Sequence, residues 1–139
     1  MADTTFHVSV VTPERAVLET DALFVAFPAH DGEVGILPGR APLLHQLGMG
    51  TLRIDTPDAK HVFFVDGGFA QMAEGKLTLL TEQAHRPSEL ERDEILRHLK
   101  EAREARGSVL EDAEIYAENQ LAAQRARAQL RLLDRHGGD

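Results

Sequence analysis

The chain holds 139 residues, 42% hydrophobic and 27% charged, a balance that suits one domain, or a small domain with an appendage, and excludes a mostly disordered polymer. With 15 Lys+Arg against 23 Asp+Glu the formal net charge is −8, which argues against nucleic acid as a partner, because phosphate-backbone binding needs a basic surface. Cysteine is absent and no apolar run approaches the ~20 residues of a bilayer span, so no disulfide framework, thiolate-held zinc or direct membrane insertion is expected.

The opening Met1-Ala2-Asp3-Thr4-Thr5 has neither a basic region nor an apolar core, so no secretory signal is expected and the protein reads as soluble and intracellular. Strand signals then follow one another between turn residues. Phe6-His7-Val8-Ser9-Val10-Val11 alternates and stops before Pro13, Ala16-Val17-Leu18 is short, and Leu23-Phe24-Val25-Ala26-Phe27 ends at Pro28. Residues 32–44 hold too many Gly and Pro for a regular strand. They read as a bent connection held in the core by Ile36, Leu37, Leu43 and Leu44. Strands are expected again over 51–55 and 61–65, the latter running into Asp66-Gly67-Gly68. Residues 69–73 and 77–80 flank Glu74-Gly75-Lys76, a hairpin turn. Seven or more short strands in about 85 residues suggest a β-sandwich, its core supplied largely by the six Phe, all of which precede residue 85.

Beyond Pro87 the chain turns rich in Ala, Glu, Arg and Leu. Ser88-Glu89-Leu90-Glu91 and Ser108-Val109-Leu110-Glu111 both read as capping boxes, with Gly107 placed to end the first helix. Helices are expected over 89–105 and 109–135, joined by a short link as an antiparallel hairpin. One stripe is Ile95, Leu96, Leu99 and Ala102; the other is Leu110, Ala113, Ala117, Leu121, Ala128 and Leu132. Both are thin and Ala-rich, so they bury little apolar area and fix the hairpin only marginally. The expected class is therefore α+β: a sandwich over residues 1–86 and a two-helix hairpin over 87–139.

Catalytic chemistry is not evident. The seven His are scattered, and a metal or acid–base set of His30, His45, His61 and Asp66 has no recognisable spacing; solvated turn histidines are the simpler reading. Six residues, not four, separate Gly68 from Gly75, and Leu77 follows Lys76, so a phosphate-binding loop fails there. Arg125, Arg127, Arg131 and Arg135 suit the negative end of a helix dipole, and equally an acidic partner.

Gly32-Glu33-Val34-Gly35-Ile36-Leu37-Pro38-Gly39, followed by Arg40-Ala41-Pro42-Leu43-Leu44, resembles the signature of the epsilon subunit of F-type ATP synthases. Phe6 to Glu14, Gly50 to Ile54, Asp66-Gly67-Gly68-Phe69, Leu77 to Glu82 and Gln129-Leu130-Arg131 resemble further parts of that family, so the likeness spans essentially the whole chain. The resemblance implies a non-catalytic, cofactor-free rotor subunit. Its sandwich would bind the gamma subunit and the c-subunit ring, coupling proton-driven rotation to ATP synthesis at the cytoplasmic face of the bacterial inner membrane. It assigns Glu33, Ile36, Pro38, Arg40 and Pro42 to the ring and gamma interface, Arg40 standing where His is common. Arg125, Arg127 and Arg131 would meet the alpha and beta catalytic subunits when the hairpin extends and inhibits hydrolysis.

Some members bind ATP at the start of the first helix through a Leu/Ile-Asp-x-x-Arg-Ala motif. Here the stretch is Leu90-Glu91-Arg92-Asp93-Glu94-Ile95, with carboxylates at Glu91 and Glu94 and Ile95 in place of Ala, which should repel a polyphosphate. Three rivals stay open: the homologous mitochondrial subunit, for which no transit peptide is visible; a free-standing ligand-binding or enzymatic sandwich using His30, His45 or Asp66; and a helical-hairpin adaptor. The coupling ion is not selected.

Overall fold

Alternating side chains give each strand two faces, and in the first 86 residues the apolar faces meet between two sheets. The computed structural model describes residues 4–104 and 113–136. Its strands are β1 (Phe6–Val11), β2 (Ala16–Ala22), β3 (Phe24–Ala29), β4 (Gly32–Ile36), β5 (Leu43–Gln46), β6 (Met49–Asp55), β7 (Lys60–Asp66), β8 (Phe69–Ala73), β9 (Lys76–Leu80) and β10 (Ala84–His85). One sheet has the order β2-β1-β9-β8-β5 and the other β10-β7-β6-β3-β4. Among the described residues only the β1–β9 pair is parallel. Val8, Val10, Ala70, Met72, Leu77 and Leu79 of the first sheet share a buried core with Val25, Phe27, Leu52, Ile54, Phe63 and Val65 of the second. Phe27 and Phe63 are fully buried.

The expected β-sandwich is present, but three of its strands lie where none was expected. Residues 32–36 form β4 and 43–46 form β5, both edge strands, and β10 adds a short edge to β7. Edge strands tolerate Gly because only one side carries a ladder. Gly35 also sits close to Phe24: a Cβ there would lie 3.1 Å from Phe24 Cε1, so a larger residue would need the ring to shift by a few tenths of an ångström. Pro28 lies inside β3 rather than ending it, and its carbonyl accepts the Gly48 N–H at 2.8 Å.

The chain forms two compact units, Met1–Arg86 and Pro87–Asp139. In the second, a 3₁₀ turn (Pro87–Glu89) precedes α1 (Arg92–Glu104), and α2 spans Ala113–His136. The first capping box is displaced: Leu90 N–H bonds the Pro87 carbonyl at 3.1 Å, and the first α-helical bond runs from Ile95 N–H to Glu91 O at 3.0 Å. Glu91, not Ser88, therefore takes the N-cap position. Gly107 and the Ser108-Val109-Leu110-Glu111 box lie outside the described residues.

Ile95, Leu99 and Ala102 pack on Ala123, Ala126 and Leu133, with Leu90, Ala122 and Leu130 at the margin. An ion pair, Arg92 Nη2 to Asp134 Oδ1 at 3.0 Å, ties the start of α1 to the end of α2. Part of the expected stripes points elsewhere: Leu96 and Leu121 are 46% and 50% exposed, and Ala113 and Ala117 are exposed too. In an Ala-rich helix several faces have similar hydrophobicity, so the partner helix selects the face that packs. Among the described residues no helix is long and apolar enough to cross a membrane.

Candidate functional site

The segment singled out in the sequence is the crossing from one sheet to the other. Paired with β3, β4 ends at Ile36; the chain then turns over residues 37–40, with the Arg40 N–H bonded to the Leu37 carbonyl at 3.3 Å. Pro38 and Gly39 occupy the turn's central positions, Gly39 at φ +81, as a type II turn requires. The chain then enters β5 on the other sheet. The Gly-Pro pattern is thus explained by a change of sheet.

The assigned interface residues are dispersed. Glu33 is exposed one residue from the β3–β4 turn, whereas exposed Arg40 follows the turn at the opposite end of β4. Four strand steps from Glu33 to Leu37 span about 13 Å, so Glu33 and Arg40 do not form a local pair. Pro42 is exposed and Pro38 half-buried. Ile36 is 0% exposed and belongs to the sandwich core, so its side chain supports the segment from within. Leu37 and Leu44 correct the expectation that they fill the core: they are 61% and 70% exposed. Leu43 does pack against the core.

A surface that the sequence reading missed lies on the outer face of the first sheet. Phe69 on β8 and Leu80 on β9 are register partners, 53% and 51% exposed. Val11 of β1 is the next partner of Leu80 along the same row. Together with Pro13 and Gly68 they line an apolar depression of about 350 Å³. Strand alternation carried the signal: because Ala70 and Met72 point inward, Phe69 must point outward, and inward Leu77 and Leu79 leave Leu80 outside. Gly68, at φ +111, lies where a Cβ would overlap the Leu80 carbonyl oxygen, which fixes glycine at the edge of this surface. The depression and Glu33 lie toward the same end of the sandwich. There the backbone is laced together by Gly48 N–H to Pro28 O, Gly67 N–H to Gly48 O and Leu47 N–H to Gly68 O.

The rival histidine set does not converge. His30 is in the β3–β4 turn, and His45 on β5 stands edge-on to Phe27 with ring centroids 6.0 Å apart. His61 on β7 lies 3.3 Å from an Arg86 nitrogen, and Asp66 accepts a bond from Gln83 Nε2 at 3.2 Å. Among the described residues no group of three or more His, Cys, Asp or Glu could hold a metal ion. Glu74 and Gly75, both at positive φ, form the two-residue turn between β8 and β9, as in a type I′ hairpin. On α2, Arg127, Arg131 and Arg135 follow an i, i+4, i+8 ridge; Arg125 lies on another side of the helix. Arg125 and Arg127 are half-buried and Arg131 is exposed.

A two-sheet sandwich with an exposed apolar outer patch, followed by a helical hairpin, defines the class. Residues 5–87 match the family described as "ATP synthase, Delta/Epsilon chain, beta-sandwich domain". An ATP synthase epsilon chain of Rhodopirellula baltica is 44% identical over 122 residues, 88% of this chain and 93% of the relative. One from Nitratidesulfovibrio vulgaris strain DP4 is 35% identical over 126 residues, 91% and 93% of the two chains. The fold is also that of a chain in the Euglena gracilis mitochondrial ATP synthase (OSCP/F1/c-ring), with a TM-score of 0.86 at 20% identity, covering 96% of this chain and 84% of that one. A chain in the central stalk and c-ring of the Tetrahymena thermophila mitochondrial enzyme gives a TM-score of 0.55 at 17% identity, covering 93% of each. The chain belongs to the ATP synthase delta/epsilon chain family.

Proposed function

We propose that the chain is a non-catalytic subunit of the rotor of a bacterial F-type ATP synthase, held peripherally at the cytoplasmic face of the inner membrane. Its sandwich binds the gamma subunit and the c-subunit ring, and so helps transmit proton-driven rotation to ATP synthesis. The observation that carries this reading is the exposed Phe69–Leu80 pair, which forms one apolar row with Val11 on the outer face of the first sheet. A large apolar patch left on the surface is a docking surface. We assign gamma as the occupant of the apolar row of Val11, Phe69 and Leu80, a reading that family membership supports.

The ring contact is assigned to the end that carries Glu33. Gamma and the ring turn together, so their contacts on this chain should be contiguous, and the Glu33 end adjoins the apolar row through the Gly48, Gly67 and Gly68 backbone bonds. Pro38, Arg40 and Pro42, at the far end, fall outside that ring contact. The hairpin is the regulatory part. Its small Ala-rich interface suits an element with two packings of similar energy, and Arg125, Arg127 and Arg131 are its candidates for contact with the alpha and beta catalytic subunits. Co-purification with the organism's own gamma subunit tests the central claim. The wild-type chain should be retained and the Leu80→Asp chain lost; equal retention of both would overturn the assignment of this face.

A further inference from the structure

The chain leaves the sandwich through one residue whose side chain turns back onto it. Arg86 closes the first unit and Pro87 opens the second. The Arg86 guanidinium lies over the Phe63 ring, Cζ to centroid 4.6 Å, and its Nη1 is 3.3 Å from His61 Nδ1. Phe63 is fully buried in the core, so the contact anchors the exit segment to a rigid part of the fold. A guanidinium nitrogen has only hydrogens to offer. The 3.3 Å contact is therefore a hydrogen bond only when His61 Nδ1 carries no proton.

We propose that His61 and Arg86 form an acid-sensitive latch on the junction between sandwich and hairpin. Neutral His61 accepts the Arg86 bond and holds residue 86 against β7. Protonated His61 has no lone pair on Nδ1 and places a second positive charge beside the guanidinium, so the contact opens. The charged and titratable groups around the ring support this direction. Its register partner on β6 is Ile54, which points into the core; the flanking Arg53 and Asp55 therefore project to the opposite face, where Arg53 lies over Phe24. On β7 itself the adjacent Lys60 likewise projects to the face opposite His61. From the β10 end comes Arg86, with His85 bonded through Nε2 to Gln83.

Burial first, and the Arg86 charge second, hold the His61 pKa below its ordinary 6.5. A basic group with a depressed folded-state pKa binds protons more readily when the chain is unfolded. The contribution of the latch is thus complete above about pH 6.5 and declines as pH falls from there toward the lowered folded-state value. The device belongs to the chain alone and does not depend on what the sandwich docks to.

An NMR titration of the full chain from pH 7.5 to 5 tests it. The His61 ring, the Phe63 ring and the Arg86 Nε–H should shift with one shared midpoint below 6.5. Exchange of the Leu90 amide, bonded to Pro87 O, and of the β10 amides should rise about fivefold beyond the intrinsic pH dependence, the scale of one lost hydrogen bond. His61→Gln, neutral throughout, should flatten that response while the β6–β7 amides stay protected. The latch is refuted if His61 titrates without Arg86 and Phe63 following, or if the Gln variant keeps the wild-type pH response.

Discussion

Phe69 and Leu80 face each other across the β8–β9 ladder and share the outer surface of the first sheet, each more than half exposed. Their strand neighbours Ala70, Met72, Leu77 and Leu79 are all buried. The same alternation that builds the core thus leaves two large apolar side chains outside.

Phe69→Asp and Leu80→Asp should each leave the isolated chain folded, with urea midpoints close to wild type. Each should weaken gamma binding by about ten- to a hundredfold, the equivalent of withholding one large side chain from burial. Calorimetric titration with gamma measures this, and unchanged affinity in both variants would move the docking site elsewhere.

Gly67 and Gly68 offer a paired test of backbone strain. Both have positive φ, but a Cβ at Gly67 enters open space while one at Gly68 overlaps the Leu80 carbonyl. Gly67→Ala should cost about 1 kcal/mol from the left-handed backbone alone. Gly68→Ala should cost about 3 kcal/mol or more, because overpacking adds to the strain. Urea denaturation of the two variants gives the comparison directly.

Within residues 36–44, stability and docking separate. Ile36→Ala should lose about 2–5 kcal/mol of stability, since a fully buried side chain leaves a cavity. Leu37→Ala and Leu44→Ala should change it by less than about 0.5 kcal/mol, as for exposed positions generally. In the assembled enzyme, Glu33→Lys should impair coupling more than Arg40→Glu; the reverse order would place the ring at the other end of the sandwich.

The start of α1 is expected not to bind nucleotide. The Arg92 guanidinium is engaged by Asp134 at 3.0 Å, and Glu91 and Glu94 add negative charge to that turn. Titration with ATP should show no saturable binding at millimolar concentration. Arg92→Ala should cost at most about 1 kcal/mol, because both partners are largely exposed.

Removal of residues 88–139 should raise ATP hydrolysis by the assembled complex while leaving gamma binding intact. An unchanged hydrolysis rate would remove the inhibitory role of the hairpin.

Most of the strand positions along the chain were legible because β-branched and aromatic residues alternate between turn formers. The strands at Gly32–Ile36 and Leu43–Gln46 were not, because the Gly and Pro residues of the 32–42 stretch resemble a loop until the neighbouring strands supply the ladder. The hairpin shows the same limit in another form. Its existence was plain from composition, but its packed face was not, since Ala contributes almost equally to every candidate stripe and Leu96 and Leu121 carry the stronger signal on the unpacked side.

What the sequence determined by itself was local and cumulative: the switch from strands to helices near residue 86, the Glu74–Gly75 hairpin turn, and a motif string specific enough to mark the family. Tertiary structure alone decided which side of each strand the core claims, and with it that Ile36 is buried while Leu37 and Leu44 are not. It also decided that Glu33 and Arg40, seven positions apart in one motif, lie at opposite ends of β4. The physical reason is that propensity and turn chemistry act within a few residues. Burial and proximity depend on which distant strands pair, and no single segment carries that information.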